Sequence, residues 1–431
     1  MNKAEKLFIS NTNLAGYKSI ENLSTTLKPG LNIIIGKNAV GKTNFLNFFH
    51  NCLNFSFTHS NNFSANFSLN YNQIDYSFSF NKKTVLQNDI EYIDDKSERF
   101  KIRRFQPNFL AQLYIKDSKN NITGDFSSEE ENQCGEYFKK QLLYDGIEIK
   151  STLIKHGLPN NYSIVDSPLN IELWDSFISD EFLNLYNTSN QSVFFKTLLS
   201  ATLTDNILDP DFFNKKFRSE KSIQKFVSEK KRDYKKNVLD SLEYLTDLKN
   251  LLKEYSPIED FRFNESFSID IDLENEKISL RNFFLEFMVD KKWFSFEDLS
   301  DGTKRIFYII SEIFILDRNN FMDKLINDSV INNLNVIFIE EPELGIHPYQ
   351  LFRLMKFLKE KSRSNQIVIT THSPLSLDIL EINELDSILI AEKSDGQTQL
   401  KRLSKEKIEK AKMYMSDLNL SDFWLNSDLE D

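Results

Sequence analysis

One octapeptide constrains this chain more than any other feature: Gly36-Lys37-Asn38-Ala39-Val40-Gly41-Lys42-Thr43, directly after the apolar run Leu31-Asn32-Ile33-Ile34-Ile35. It fits the pattern G-x-x-x-x-G-K-[ST] in the context that gives the pattern meaning, a buried strand before it and a helix through Asn44–Leu53 after it. Backbone N–H groups of such a loop cradle phosphate oxygens, and the dipole of the following helix favours the negative charge. Glycine lets the backbone come that close. Lys42 is placed to reach the outer phosphates, and Thr43 offers a hydroxyl to Mg²⁺. Glycine is scarce, 11 in 431 residues, so a chance glycine turn is a weak competitor.

Length and composition set the frame around this loop. A chain of 431 residues can hold two or three domain-sized units and a large core. The 38 Phe read as aromatic core filling. A net charge of −11 argues against general polyanion binding, so any nucleic-acid contact has to be a local patch. Two cysteines, Cys52 and Cys134, argue against a disulfide framework and fit a reducing compartment. The start lacks the apolar core of a signal peptide. The longest apolar stretch, Ile306–Leu316, is too short to span a bilayer and reads as a buried helix. The expectation is a soluble, cytoplasmic protein without a membrane partner.

Residues 7–35 read as two short strands, a turn at Pro29-Gly30 and a buried strand. From about 63 to 93 the period is two, which predicts an antiparallel meander. No glycine occurs between Gly157 and Gly302, and neither Gly nor Pro between Pro210 and Pro257. There Val238, Leu242, Leu245 and Leu252 recur at heptad-like spacing, which predicts one long helix or two consecutive ones. Strand signals return at 263, at 335–340, at 366–370 and at Ser387–Ala391, the last followed by a short helix. The predicted organisation is an α/β head in two halves, 1–129 and 263–431, around a helical insertion at 130–262.

Three further motifs follow the loop. Val336–Ile339 is an apolar strand that delivers Glu340, Glu341 and Glu343 at its end, the carboxylates a Mg²⁺ site and a water-activating base require. An acidic turn after a strand is the plain alternative. Leu299-Ser300-Asp301-Gly302-Thr303-Lys304-Arg305 opens an apolar helix with Ser300 as N-cap, an anion site or simply a capped helix. Ile369-Thr370-Thr371-His372-Ser373-Pro374 ends a strand in an imidazole, which at such a position is most often structural. His50, His59 and His156 have no supporting context.

Their order makes the four stronger together than apart. They resemble, in sequence, the Walker A, signature, Walker B and switch-histidine motifs of the ABC ATPase superfamily. The long insertion resembles the SMC and RecF branch rather than transporters. The signature LSDGTKR and the run EEPELGIHP are similar to the RecF-like AAA ATPases, the ATPase half of overcoming-lysogenization-defect nucleases. The resemblance covers about 5–125 and 265–425, and implies an ABC-type head, a mixed sheet with an added antiparallel lobe, that binds and hydrolyses ATP with Mg²⁺. It implies a homodimer or higher oligomer with two nucleotides sandwiched between heads. Glu341 is then the general base and His372 the switch. Thr43 and Glu340 hold the metal, Gly36 to Thr43 hold the phosphates, and Ser300 and Gly302 meet the γ-phosphate on the partner's Lys42. His347 matches the D-loop region, and Lys18 matches a lysine often found near the nucleotide.

The chain departs from the pattern in two ways. Glu340 stands where the branch has aspartate, and the Mg²⁺-sensing glutamine has three candidates, Gln87, Gln106 and Gln112. After His372 the sequence holds no segment like the nuclease domain of those relatives. The expectation is therefore a stand-alone regulatory ATPase of an antiphage system that controls a separate effector of nuclease type, with a RecF-like repair ATPase as the alternative. Within 212–236, ten cations oppose three acids, Glu220, Glu229 and Asp233, for a net of +7. This segment reads as a DNA or RNA contact or as a solvated helix face, the latter being the commoner case. The acidic end with Phe423 and Trp424 is a docking surface or a folded-back helix.

Overall fold

The computed structural model describes residues 7–54, 62–71, 74–93, 99–116, 122–129, 138–140, 142–143, 147–155, 169–174, 219–240, 242, 245–274, 277–326 and 332–426. His59, Cys134, His156, Lys215, Lys216 and Arg218 lie outside them. The chain divides into two compact units: residues 1–156 with 324–343 and 355–431, and residues 157–323 with 344–354. Helices among the described residues are α1 (Lys42–Leu53), α2 (Glu220–Asp240), α3 (Thr246–Tyr255), α4 (Asp301–Ile326), α5 (Pro348–Lys361), α6 (Lys405–Tyr414) and α7 (Leu420–Asn426). None is long and apolar enough to cross a membrane.

The first unit is built on two sheets. One contains β3 (Leu31–Ile35), β8 (Ile147–Ile154), β15 (Asn332–Glu340), β16 (Gln366–Thr371), β17 (Ile388–Ser394) and β18 (Gln397–Arg402) in the order β18-β17-β3-β16-β15-β8. Strands β17 through β8 run parallel and β18 is an antiparallel edge. Every residue of β3 and β16 is buried, as expected of continuous β-branched runs covered on both faces. The other sheet is wholly antiparallel: β2 (Leu23–Thr26), β1 (Phe8–Ala15), β4 (Phe63–Tyr71), β5 (Ile74–Ile93), β6 (Arg99–Lys116) and β7 (Ile122–Ser128), in that spatial order. The period-two stretch from 63 thus forms the meander that its alternation predicts.

Helix α1 joins the two sheets through its apolar face. Phe45, Phe48 and Phe49 are buried. Phe49 stacks on Phe67 of β4 at 4.9 Å between centroids and tilts against Phe338 of β15 at 5.1 Å. Phe48 stacks on Tyr17 at 4.5 Å. Among the described residues, Phe45, Phe48, Phe49, Phe67 and Phe338 are core-filling side chains, as expected.

The second unit carries β10 (Asp260–Phe263), β13 (Leu285–Val289) and β14 (Lys292–Ser295) in one antiparallel sheet, and β9 (Leu169–Trp174), β11 (Ser268–Asp272) and β12 (Lys277–Phe283) in another. The Gly- and Pro-free run becomes two helices, α2 and α3, with Val238, Leu242, Leu245 and Leu252 buried. Residues 130–262 hold strands as well, β8, β9 and the start of β10. Local propensity in Ile-Glu-Ile-Lys-Ser-Thr-Leu-Ile is ambiguous, and long-range parallel pairing with β15 settles it as β8.

Among the described residues beyond His372 the chain forms two 3-10 turns, two strands and two α-helices rather than one strand and one helix. The missed strand, β18, follows a two-residue hairpin at Asp395-Gly396, with φ of 51° and 83°. Asp-Gly is the strongest short hairpin signal, so this strand was readable. The terminal helix α7 folds back: Phe423 is buried against Tyr414 at 5.0 Å, and Ser421 donates from N–H and hydroxyl to Asp378.

Candidate functional site

Parallel registry assembles the site of the first unit. Ile35 pairs with Thr371, and Glu340 with Thr370. Strands β3, β15 and β16 therefore end together, and the next residues, Gly36, Glu341 and His372, share the carboxyl edge of the sheet. That edge is where open α/β sheets place ligands.

Local chemistry fixes the loop. Gly36 has φ of 150°, and a Cβ there would lie 2.3 Å from the carbonyl oxygen of Ala391 in neighbouring β17. Gly41 has φ of 102°, and a Cβ there would lie 2.1 Å from Thr398 Oγ1 and 2.7 Å from Ser19 Oγ. Lys42 is buried, and its Nζ donates to the carbonyls of Gly36 and Lys37 at 2.5 and 2.9 Å, so its ammonium lies inside the loop. Lys37, Asn38 and Ala39 are exposed at the tip and Val40 is buried beneath it. Ala39 adopts a φ of 63°.

Thr43 Oγ1 donates a short hydrogen bond to Glu340 Oε1. The hydroxyl and carboxylate expected to share a metal are thus in direct contact. Glu341 has φ of 44° and donates its N–H to Thr370 O at 2.8 Å, which turns its side chain out of the strand. His372 is half-exposed, with Nδ1 at 3.5 Å from Glu341 Oε1 and 3.3 Å from Glu343 Oε1. Glu343, side chain 7% exposed, also accepts at Oε1 from Thr371 Oγ1 at 2.8 Å and from the His372 N–H at 2.9 Å. Its role as the anchor of this strand end was not apparent from the acidic run alone.

Lys18 sits in a turn at φ of 52°, exposed, with its Nζ 5.2 Å from the Tyr17 ring centroid. Ser19 ties that turn to the start of α1 through Asn44, at 2.9 Å, and to Thr398 of β18, also at 2.9 Å. Gln112 alternates with Ala111 and Leu113 along β6, and those two are buried in the core that α1 joins. Gln112 therefore faces away from α1. Gln87 falls at the register shift between Leu86 and Asn88, and Gln106 pairs with Val85.

In the second unit Ser300 caps α4, accepting from the Thr303 N–H at 3.2 Å. A Cβ on Gly302 would lie 2.3 Å from Gly345 O, so this glycine is required for packing as well as being available for an anion. His347 caps α5: its Nδ1 accepts from Tyr349 N–H at 3.3 Å and its carbonyl from Leu351 N–H at 2.9 Å.

A family model described as "AAA domain, putative AbiEii toxin, Type IV TA system" matches residues 31–378. The chain belongs to this family of AAA domains. It is also 26% identical over 429 residues to the Retron Vc95 probable ATPase of Vibrio cholerae serotype O1 biovar El Tor, covering 88% of this chain and 74% of that one. Among solved structures it is similar to the Smc head domain with an extended coiled coil bound to the C-terminal domain of ScpA from Pyrococcus furiosus, at 12% identity and TM-score 0.43, covering 95% of this chain and 100% of that one. The SMC head domain from Thermotoga maritima matches at 10% and 0.35, covering 92% and 99%. The family makes this an ATPase-type AAA domain related to a retron ATPase.

The residues of this AAA domain fit a magnesium nucleotide. The loop has glycines where any Cβ would collide, a lysine ammonium turned inward, and a threonine hydroxyl already on a carboxylate. Among the described residues no cluster of three or more His, Cys, Asp or Glu side chains forms a self-sufficient metal site. Mg²⁺ keeps waters and phosphate oxygens in its shell and takes only one or two protein ligands, a number that Thr43 and Glu340 could supply.

Proposed function

We propose that this AAA domain binds and hydrolyses ATP, dimerises around it, and serves as the regulatory ATPase of an antiphage defence system controlling a separate effector of nuclease type. The observation that carries the reading is the shared strand edge, with Thr43 on Glu340, and Glu341 and His372 beside them. The retron name of the relative favours defence over the repair alternative.

In this reading the N–H groups of 36–43 and the Lys42 ammonium bind the phosphates, with Lys18 as a further cation beside the loop. Thr43 and Glu340 hold Mg²⁺, directly or through water, and the ion neutralises phosphate charge when bound. Glu341 orients the attacking water and takes its proton. His372, steered by Glu343, meets the γ-phosphate. Ser300 and Gly302 of a second copy complete the site. The chain works in the cytoplasm and contacts DNA or RNA through 212–236.

ATP can drive an effector only through a difference in affinity between two states of the heads. The chain alone is therefore expected to leave DNA and RNA uncut, and effector activity to require an intact Lys42. The test is purified Lys42→Ala, with ATP turnover and binding measured alongside an effector assay. Turnover is expected to vanish and affinity to fall severely. Normal turnover by the variant, or nuclease activity of the chain alone with ATP and Mg²⁺ that Glu341→Gln abolishes, would overturn the reading.

A further inference from the structure

Helix α2 carries seven of the ten cations of the basic segment, and the structure separates them into two groups. Lys231 Nζ pairs with Asp270 Oδ1 of β11 at 3.0 Å, and Lys235 Nζ donates to Phe267 O at 3.0 Å. Lys230 is half-buried with its Nζ 5.8 Å from the Tyr234 ring. These three serve the packing of α2, whose Tyr234 and Val238 are buried.

Lys221, Lys225, Arg232 and Lys236 are exposed, the side chains of Lys225 and Arg232 by 78% and 79%. At 100° per residue these four positions fall within an arc of roughly 60°. They form a row about 22 Å long at 1.5 Å per residue. A solvated helix face ordinarily pairs opposite charges at i,i+4, and like charges at that spacing destabilise a helix. Here Lys221 and Lys225, and again Arg232 and Lys236, stand at i,i+4 with the same sign. Two of the four have acid neighbours: Lys225 pairs with Glu229 at i,i+4 and Arg232 with Asp233, both at 3.9 Å and with all four side chains exposed, so the pairs are weak and screened by salt. Asp270 is held between Lys231 and Arg281 at 3.0 and 3.1 Å.

We infer that Lys221, Lys225, Arg232 and Lys236 form a phosphate-tracking ridge that binds a nucleic-acid strand. Four cations spread along about 22 Å can each meet one phosphate, so the row can neutralise up to four phosphates of a strand. Repulsion along the helix is relieved when those phosphates lie against it. The inference refines the contact proposed for 212–236 and rests on that reading for its partner class, but it assigns the contact to four residues and excludes Lys230, Lys231 and Lys235.

The test compares the full chain with the variant Lys221→Gln, Lys225→Gln, Arg232→Gln, Lys236→Gln and with the control Lys231→Gln, Lys235→Gln. Anisotropy is read with a fluorescein-labelled 30-nucleotide strand, a 30-base-pair duplex and poly-glutamate at 50–200 mM KCl. Each lost phosphate contact removes about 0.7 (single strand) to 0.9 (duplex) from the slope of log K against log salt. The fourfold variant should therefore lose about three in slope and bind at least tenfold more weakly at 50 mM salt. The control should bind nucleic acid as the parent does while melting at lower temperature. Binding by the fourfold variant at the parental slope, equal loss in the control, or no binding by the parent would overturn the ridge. Poly-glutamate bound as tightly as the strand would assign the ridge to an acidic protein and overturn it too. ATP turnover in the same preparations keeps the readings apart: turnover without strand binding refutes the ridge alone, and strand binding without turnover refutes the ATPase reading alone.

Discussion

The most informative single change in the first unit is at Glu343. One oxygen of this buried carboxylate accepts from Thr371 Oγ1 at 2.8 Å and the His372 N–H at 2.9 Å, with His372 Nδ1 at 3.3 Å. Hydrogen bonds to a charged group contribute about 1.5–3 kcal/mol each and neutral ones about 0.5–1.5. Glu343→Gln keeps the shape and an acceptor but makes both bonds neutral, a loss of roughly 1 kcal/mol per bond and about 2 in all. Glu343→Ala removes both charge-assisted bonds, at about 1.5–3 kcal/mol each, and leaves the part-buried His372 N–H without this acceptor while Thr371 Oγ1 retains Ser376 Oγ at 3.1 Å. Urea unfolding should therefore rank parent, Gln, Ala in falling stability. Glu343 touches His372 and not the loop, so kcat for ATP should fall in Glu343→Gln while KM changes little. If Glu343→Ala unfolds at the parental urea concentration and turns over ATP at the parental rate, the anchoring argument is wrong.

Other expectations follow from the same geometry. Glu341→Gln should cut ATP hydrolysis by about 10²–10⁴-fold, the range of general-base contributions, while ATP stays bound; a parental rate would remove Glu341 from the role of base. Ser300→Arg should block hydrolysis in trans, and mixing it with Lys42→Ala should leave activity below the parent, measured as turnover against mixing ratio. Phe49→Ala should cost roughly 3–5 kcal/mol in chemical unfolding, because the ring bridges β4, α1 and β15; a loss below 1 kcal/mol would mean the sheets do not depend on it. His50, in α1, is pushed down to about 4 by burial first and by Lys155 second. Its unfolded form takes a proton below about pH 6.5 and its folded form only near 4, so its contribution to stability is complete above 6.5 and is lost as pH falls towards 4, up to roughly 3 kcal/mol. Urea midpoints from pH 7 to 4 should show a steeper fall for the parent than for His50→Gln, and parallel curves would refute it.

Much of the fold was legible because its signals are local. The Ile33-Ile34-Ile35 run followed by a glycine loop announces a buried parallel strand, and the alternation from 63 announces a meander. Pairing that depends on distant residues was less visible. Strand β8 exists through its registry with β15, some 180 residues away, which no window of sequence displays. Strand β18 is a different case, since Asp395-Gly396 carried its signal.

The site divides along the same line. Lys42 and Thr43 could be singled out because they stand in one octapeptide, and Glu340 because it ends an apolar strand in a run of carboxylates. The function of Glu343 was not, because it arises from β15 and β16 ending in register, which brings Thr371 and His372 to its carboxylate. Gly302 makes the complementary point. Read as an anion-binding glycine, it is also the one residue that fits against Gly345 O at that turn. A substitution there removes packing and any anion contact together, so loss of activity in Gly302→Ala alone cannot assign an anion-binding role. Ser300 separates the two: Ser300→Asp keeps an N-cap acceptor for the Thr303 N–H but repels an incoming phosphate. A protein that folds as the parent does and fails only in nucleotide-dependent dimerisation would carry the signature assignment on its own.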